Sequence, residues 1–395
     1  MQAPDTGAVP GTLLGLPPLA LYIHIPWCVR KCPYCDFNSH AVKDGLPQDA
    51  YVDALLRDLE QDLPLVWGRP VVSIFFGGGT PSLFDAAHIG AILDGVAARL
   101  SLRPGLEVTL ETNPGTVEHD RFEGYRAAGV NRLSFGVQSF DDGCLQRLGR
   151  IHDSAQATAA IGLARRAGFD NINLDLMYAL PAQTLAMAQH DIDRALALEP
   201  AHISHYQLTL EPNTLFHARP PAALPDDDAA WDMQEACQDR LDRAGYRQYE
   251  VSAYARAGQQ CAHNLNYWRF GDYLGIGAGA HGKLTVPAED GILRTSRQKL
   301  PRSYLANAGS AAAIAGEEWI APAQRPFEFM LNALRLAEGF TLERFEARTG
   351  IPRAALEVPL ASASARGWLR QQDQAIVPTA TGARFLNDLI ALFIP

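Results

Sequence analysis

From about residue 20 to residue 210, short apolar runs alternate with longer stretches of helical period, and polar or glycine residues follow each apolar run. The runs at 19–25, 71–76, 106–111, 132–137, 171–177 and 203–210 read as strands. The stretches at 48–62, 85–100, 118–128, 154–167 and 185–198 read as helices. Strands alternating with helices require crossover connections, which are right-handed and give a parallel sheet. The expected fold class is therefore α/β, with six βα units forming a partial barrel. The ends of the strands carry IPWC, FGGGT, ETNP, GVQS and LDLM. In a βα barrel that C-terminal face is where sites are built.

Beyond residue 210 the alternation loosens. A long helix is expected over 226–244, followed by CAHNLNYWRFGDYLGIGAGAHG at 261–282, dense in aromatics and glycine. Residues 283–323 show no clear period. From Arg325 the pattern turns helical, with 368–370 and 375–377 as the strands of a small wing and a last helix beginning near Thr381. This gives a flexible lead-in over 1–19, a barrel over 20–250, a connecting segment over 251–323, and a smaller, mainly helical domain over 324–395, winged-helix-like in outline. That last region holds eight Arg against seven acidic residues, so a packing domain is expected there rather than a nucleic-acid reader.

Composition narrows the function classes. Apolar residues make up 47% and charged residues 20% of the 395, an ordinary globular balance. The formal net charge of −10 lacks the basic footprint of a nucleic-acid binder. No apolar run is long enough for a membrane span, and the opening residues do not read as a signal peptide, so a soluble cytoplasmic protein is expected. Six cysteines are too few for a disulfide scaffold.

Three of those cysteines are clustered. Cys28, Cys32 and Cys35 follow the first strand in WCVRKCPYCDF, spaced C-x3-C-x2-C. Three thiolates on one loop can hold zinc or an iron–sulfur cluster. Zinc would want a fourth ligand, which His24 or His40 could supply. A 4Fe–4S cube held by three cysteines instead leaves one iron open for a small molecule.

The cysteine spacing, with an aromatic before the last cysteine, resembles the signature of the radical S-adenosylmethionine family. FFGGGTPS at 75–82 is similar to that family's glycine-rich loop after the second strand. LETNPG, GVQSF, the arginine of LGRIH, and NLDLMYALP resemble the subgroup that includes oxygen-independent coproporphyrinogen III dehydrogenase. The resemblance covers about residues 20–390. It implies a radical S-adenosylmethionine barrel with a 4Fe–4S cluster on Cys28, Cys32 and Cys35. It further implies S-adenosylmethionine contacts from Tyr22, Tyr34, Gly78, Gly79, Thr80, Glu111, Gln138, Arg150 and Asp175. A carboxylate such as Glu111 suits an ammonium or a ribose hydroxyl, and Arg150 suits a carboxylate.

Two features separate this chain from the dehydrogenase. Phe37 stands where the dehydrogenase pattern has a fourth cysteine, and only about twenty residues precede the first strand. HNLNYW at 263–268 resembles the HNxxYW motif of the haem chaperones in the same subgroup, which implies haem binding by His263. An imidazole can ligate haem iron, and aromatics can pack on a porphyrin plane. His202, His205 and His281 carry no such support. The resemblance thus implies a haem carrier whose partners are haem, acceptor haemoproteins and an electron donor if the cluster is reduced, with neither nucleic acid nor stable membrane insertion. The alternatives are oxidative decarboxylation of coproporphyrinogen III propionates and a zinc-stabilised interaction protein.

Overall fold

The computed structural model describes residues 15–43, 45–116 and 119–395. Most of the expected lead-in, and Glu118 at the start of the third expected helix, lie outside the described residues. All six expected strands form: β1 (Leu19–Ile25), β2 (Val71–Gly78), β3 (Leu102–Thr112), β4 (Arg132–Gln138), β5 (Ile172–Tyr178) and β6 (His202–Gln207). Between them run α1 (Gln48–Val66), α2 (Ala86–Ala97), α3 (His119–Ala127), α4 (Ser154–Arg166) and α5 (Leu185–Ala197). The strands pair in parallel in chain order. β1 is buried along its length apart from a half-buried Tyr22, as an apolar run in a two-sided parallel sheet should be. Strand residues such as Ile74, Leu110, Phe135 and Leu174 meet Leu55, Ile92, Ile161 and Ile192 of the helices in one core.

The sheet is wider than the six expected strands. After α6 (Asp227–Arg243) come β7 (Arg247–Glu250) and β8 (Ala253–Ala255), antiparallel additions beyond β6. Then α7 (Ala262–Trp268) leads to β9 (Asp272–Ile276), which pairs in parallel with β1 on the side away from β2. An antiparallel meander of β10 (His281–Val286), β11 (Gly291–Arg297) and β12 (Ile314–Trp319) completes a twelve-stranded sheet. Its order is β12-β11-β10-β9-β1-β2-β3-β4-β5-β6-β8-β7, and among the described residues the two edge strands do not pair, so the sheet does not close on itself. The stretch 283–323, which shows no clear period in the sequence, holds most of β10, all of β11 and β12, and a short helix at Pro301–Asn307. Its edge strand β12 is mostly exposed and so carries no buried alternation to read.

Buried charge fastens this extension to α1 and the turn that follows it. Arg297 of β11 donates to Asp58 of α1 at 2.7 Å and also bonds Asp62, while the Tyr304 hydroxyl donates to Asp58 at 2.7 Å. Asp272 at the start of β9 receives Arg69 at 2.8 Å and Lys283 at 3.2 Å.

The C-terminal region packs α8 (Arg325–Ala333), α9 (Leu342–Thr349), α10 (Glu357–Ala365), α11 (Ala380–Arg384) and α12 (Leu386–Ala391) around a small antiparallel sheet. That sheet consists of β13 (Phe340–Thr341), β14 (Leu369–Gln372) and β15 (Ala375–Pro378), in the order β13-β15-β14. The expected hairpin is β14–β15. Its core of Phe329, Phe340, Phe345, Leu356 and Leu389 also takes in Phe270, Ile292 and Ile320 from the large-sheet side. No helix among the described residues is long and apolar enough to cross a membrane.

Candidate functional site

The loop after β1 carries the three cysteines, and the glycine-rich end of β2 is sewn to it. Gly79 N–H donates to the Ile25 carbonyl at 2.8 Å, and Thr80 N–H to that of Trp27 at 2.7 Å. This close approach demands glycine. At Gly78, with φ of +112°, a Cβ would sit 2.5 Å from His24 Cε1; at Gly79 it would sit 2.5 Å from the Trp27 carbonyl oxygen. The Thr80 hydroxyl then reaches Cys28 Sγ at 3.5 Å, and the Ser39 hydroxyl lies 3.9 Å from Cys35 Sγ. All three cysteines are free thiols. Burial holds the Cys28 and Cys35 thiols above the usual range.

Cys28, Cys32 and Cys35 open onto a cavity of about 330 Å³ at the C-terminal ends of the strands. Its walls include Tyr34, Gly78, Gly79, Thr80, Glu111, Gln138, Arg150 and Asp175, of which Gly78, Glu111 and Gln138 lie at or next to the last residue of a strand. Tyr22 is the one expected contact that lies elsewhere. Arg150 is placed by bonds to the Gly136 carbonyl at 2.7 Å, Cys32 Sγ at 3.5 Å and the Tyr34 hydroxyl at 3.5 Å. Glu111 accepts from Gly78 N–H at 3.2 Å. Burial, and then the neighbouring Asp175 charge, push its carboxyl up to about 8. Burial likewise raises Asp175, which accepts from Ser134 at 3.0 Å and Asn173 at 2.8 Å. Two carboxylates held above their usual range face a cavity with Arg150 at its other side, an arrangement suited to a ligand carrying both cationic and carboxylate groups. Gln138 adopts a left-handed backbone, φ of 70°, held by the Tyr206 hydroxyl donating to its side-chain oxygen at 2.8 Å.

Three free cysteines on one loop could hold a metal centre. Among the described residues, no three His, Cys, Asp or Glu side chains converge to hold one metal. A 4Fe–4S cube takes each thiolate on a different iron and does not require the sulfurs to meet at a point. Three thiols around the mouth of one cavity fit that demand.

Several residues of this cavity were not singled out from the sequence, among them Ser204 and Tyr206 of β6 and Asn264 of α7. Ser204 and Tyr206 sit two apart on one strand face, a period-two signal that was legible. Asn264 depends on how α7 docks, which no local pattern reveals.

HNLNYW forms α7, whose first N–H groups are received by the Glu107 carboxylate of β3 at 3.1 Å. His263, expected to bind haem, is 1% exposed and does not border the cysteine cavity. Its Nδ1 lies 3.0 Å from Ser73 Oγ and its Nε2 3.0 Å from the Tyr267 hydroxyl, and the ring stacks on Phe75 at 5.0 Å. Burial lowers it to about 3, so it is neutral. Tyr267, by contrast, borders a second cavity of about 500 Å³, which also contains Tyr22 and His281. Phe37, 60% exposed, stands between the two cavities and borders both.

Comparison with known proteins identifies the family. Residues 22–195 match the family model described as the radical SAM superfamily, and residues 320–385 match the HemN C-terminal domain. The protein described as heme chaperone HemW of Escherichia coli is 51% identical over 383 residues, covering 97% of this chain and 100% of that protein. That of Haemophilus influenzae is 50% identical, covering 96% and 98%. Among solved structures, coproporphyrinogen III oxidase (HemN) from Escherichia coli, a radical SAM enzyme, superposes with a TM-score of 0.80 at 24% identity. It covers 96% of this chain and 90% of that one, which establishes a shared fold. On these relatives and this strand-end site, the chain belongs to the HemW family of radical SAM proteins, the haem chaperones.

Proposed function

We propose that this chain carries haem to acceptor haemoproteins on a partial radical SAM barrel, with a 4Fe–4S cluster on Cys28, Cys32 and Cys35. S-adenosylmethionine would lie in the cavity beside it. The observation that carries this reading is the meeting of three free thiols with Glu111, Gln138, Arg150 and Asp175 in one cavity. When bound, the cluster would supply an open iron for the ligand and an electron if a donor reduces it. The chain's own residues do the rest. Glu111 and Asp175 attract the cationic groups of the ligand, Arg150 pairs with its carboxylate, and the Gly78–Gly79 backbone lets it approach closely.

Phe37 supports carriage over decarboxylation, because an aromatic ring cannot take over any thiol role at that position. His263 contributes to haem binding by fixing Tyr267, with direct ligation requiring its bond to Tyr267 or Ser73 to break. The mainly helical region beyond 324, winged-helix-like in outline, packs beside the large sheet and is not assigned nucleic acid.

Anaerobic reconstitution followed by hemin titration and transfer to an apo-haemoprotein tests the reading. Saturable binding near one haem per chain, with transfer, is the expected result. Conversion of coproporphyrinogen III without saturable hemin binding would overturn it in favour of the dehydrogenase.

A further inference from the structure

Resting on the haem-carrier reading, we propose that haem occupies the second cavity, with His281 as the axial ligand to its iron. A volume of about 500 Å³ lies in the range of cofactor-sized pockets. Its aromatic walls are Tyr22, Tyr267, Tyr273 and Phe37. Tyr267 and Tyr273 pack edge to face at 4.5 Å, which holds both rings in fixed planes for an apolar macrocycle.

Three histidines border the cavity, and only one is free. His24 has both ring nitrogens engaged, with Tyr22 at 3.0 Å and with the Asn38 carbonyl at 2.8 Å. His40 Nε2 lies 3.3 Å from Asn38 Oδ1 and 3.3 Å from the Lys299 carbonyl. His281 is exposed, and among the described residues its imidazole has no hydrogen-bond partner. It begins β10, where the backbone is fixed on both sides. It pairs with Ser296, and a Cβ at Gly275 would fall 1.9 Å from the His281 carbonyl oxygen. A ligand on so rigid a strand is held in place before iron arrives.

The cavity also offers cations for the haem propionates. Lys31 and Lys299 both border it. Phe37, shared with the cluster cavity, separates the porphyrin from the cysteine loop.

Hemin titration of the cluster-reconstituted full chain, read at the Soret band, distinguishes the outcomes. The parent should bind saturably. His281→Ala should bind about tenfold more weakly or worse and lose the imidazole-ligated spectrum, which added free imidazole should restore. Lys299→Glu should weaken binding while leaving that spectrum unchanged. Retained cluster absorbance in each variant reports that it has folded. Parental affinity and spectrum in His281→Ala would overturn the site while leaving haem carriage standing. A parent that binds no hemin saturably would overturn both.

Discussion

Replacing Glu111 with Gln should make the empty protein more stable at alkaline pH while weakening the ligand site. The folded chain keeps a proton on Glu111 up to about pH 8, whereas an unfolded chain releases it near its ordinary 4.5. Between those values the native state binds more protons than the unfolded state. Stability therefore falls as pH rises from about 4.5 to about 8 and is unaffected by this group outside that window. The full difference corresponds to about 5 kcal/mol at 1.36 kcal/mol per pH unit. Because the carboxyl opens onto the cavity, water screens part of it, and about 2–3 kcal/mol is expected. Gln retains an oxygen that can accept from Gly78 N–H and carries no charge to strand. Urea unfolding of the cluster-free parent and Glu111→Gln at pH 5 and pH 8.5 measures the gap. It should widen by about 2–3 kcal/mol in favour of the variant at the higher pH, while S-adenosylmethionine affinity drops by roughly tenfold or more. An equal gap at both values, or a variant less stable at pH 8.5, would refute this account of the buried carboxylate.

Three further outcomes are expected. Gly79→Ala forces a methyl against the Trp27 backbone, so it should lower stability by about 1–3 kcal/mol and reduce iron loading, measured by melting temperature and iron content. Arg297→Leu strands Asp58 and Asp62 without their buried cation and should cost about 3–5 kcal/mol in chemical denaturation. The loss should shrink at acid pH, since burial pushes the Asp62 carboxyl up to about 6. His263→Ala leaves the Ser73 and Tyr267 hydroxyls without the ring that joins them and should destabilise by about 2–4 kcal/mol, while the hemin-ligation spectrum is kept.

Much of the parallel sheet was legible because its strands are buried on both faces. The first strand is found at the expected residues 19–25, where an unbroken apolar run allows no other face assignment. The second outran its expected end by two glycines, since the strand continues through Gly77 and Gly78 to reach the cysteine loop. What local pattern could not supply was pairing at a distance. Asp272–Ile276 lies beside the first strand although some 250 residues separate them, and the meander that follows ends in an exposed edge strand. The cysteines and strand-end groups were recognisable by type and position. The burial of His263 and the freedom of His281 were not, because both follow from how a seven-residue helix and a strand end dock on the sheet.

That short helix has a thermodynamic consequence. Asn264 borders the cysteine cavity and Tyr267 borders the other, with His263 locked between them to the second strand through Ser73. The two cavities therefore share a wall rather than standing as independent receptacles. A guest that tilts the shared wall in one changes the affinity of the other, and the second guest must act back on the first by the same factor. Loading and unloading are then two readings of a single coupling free energy.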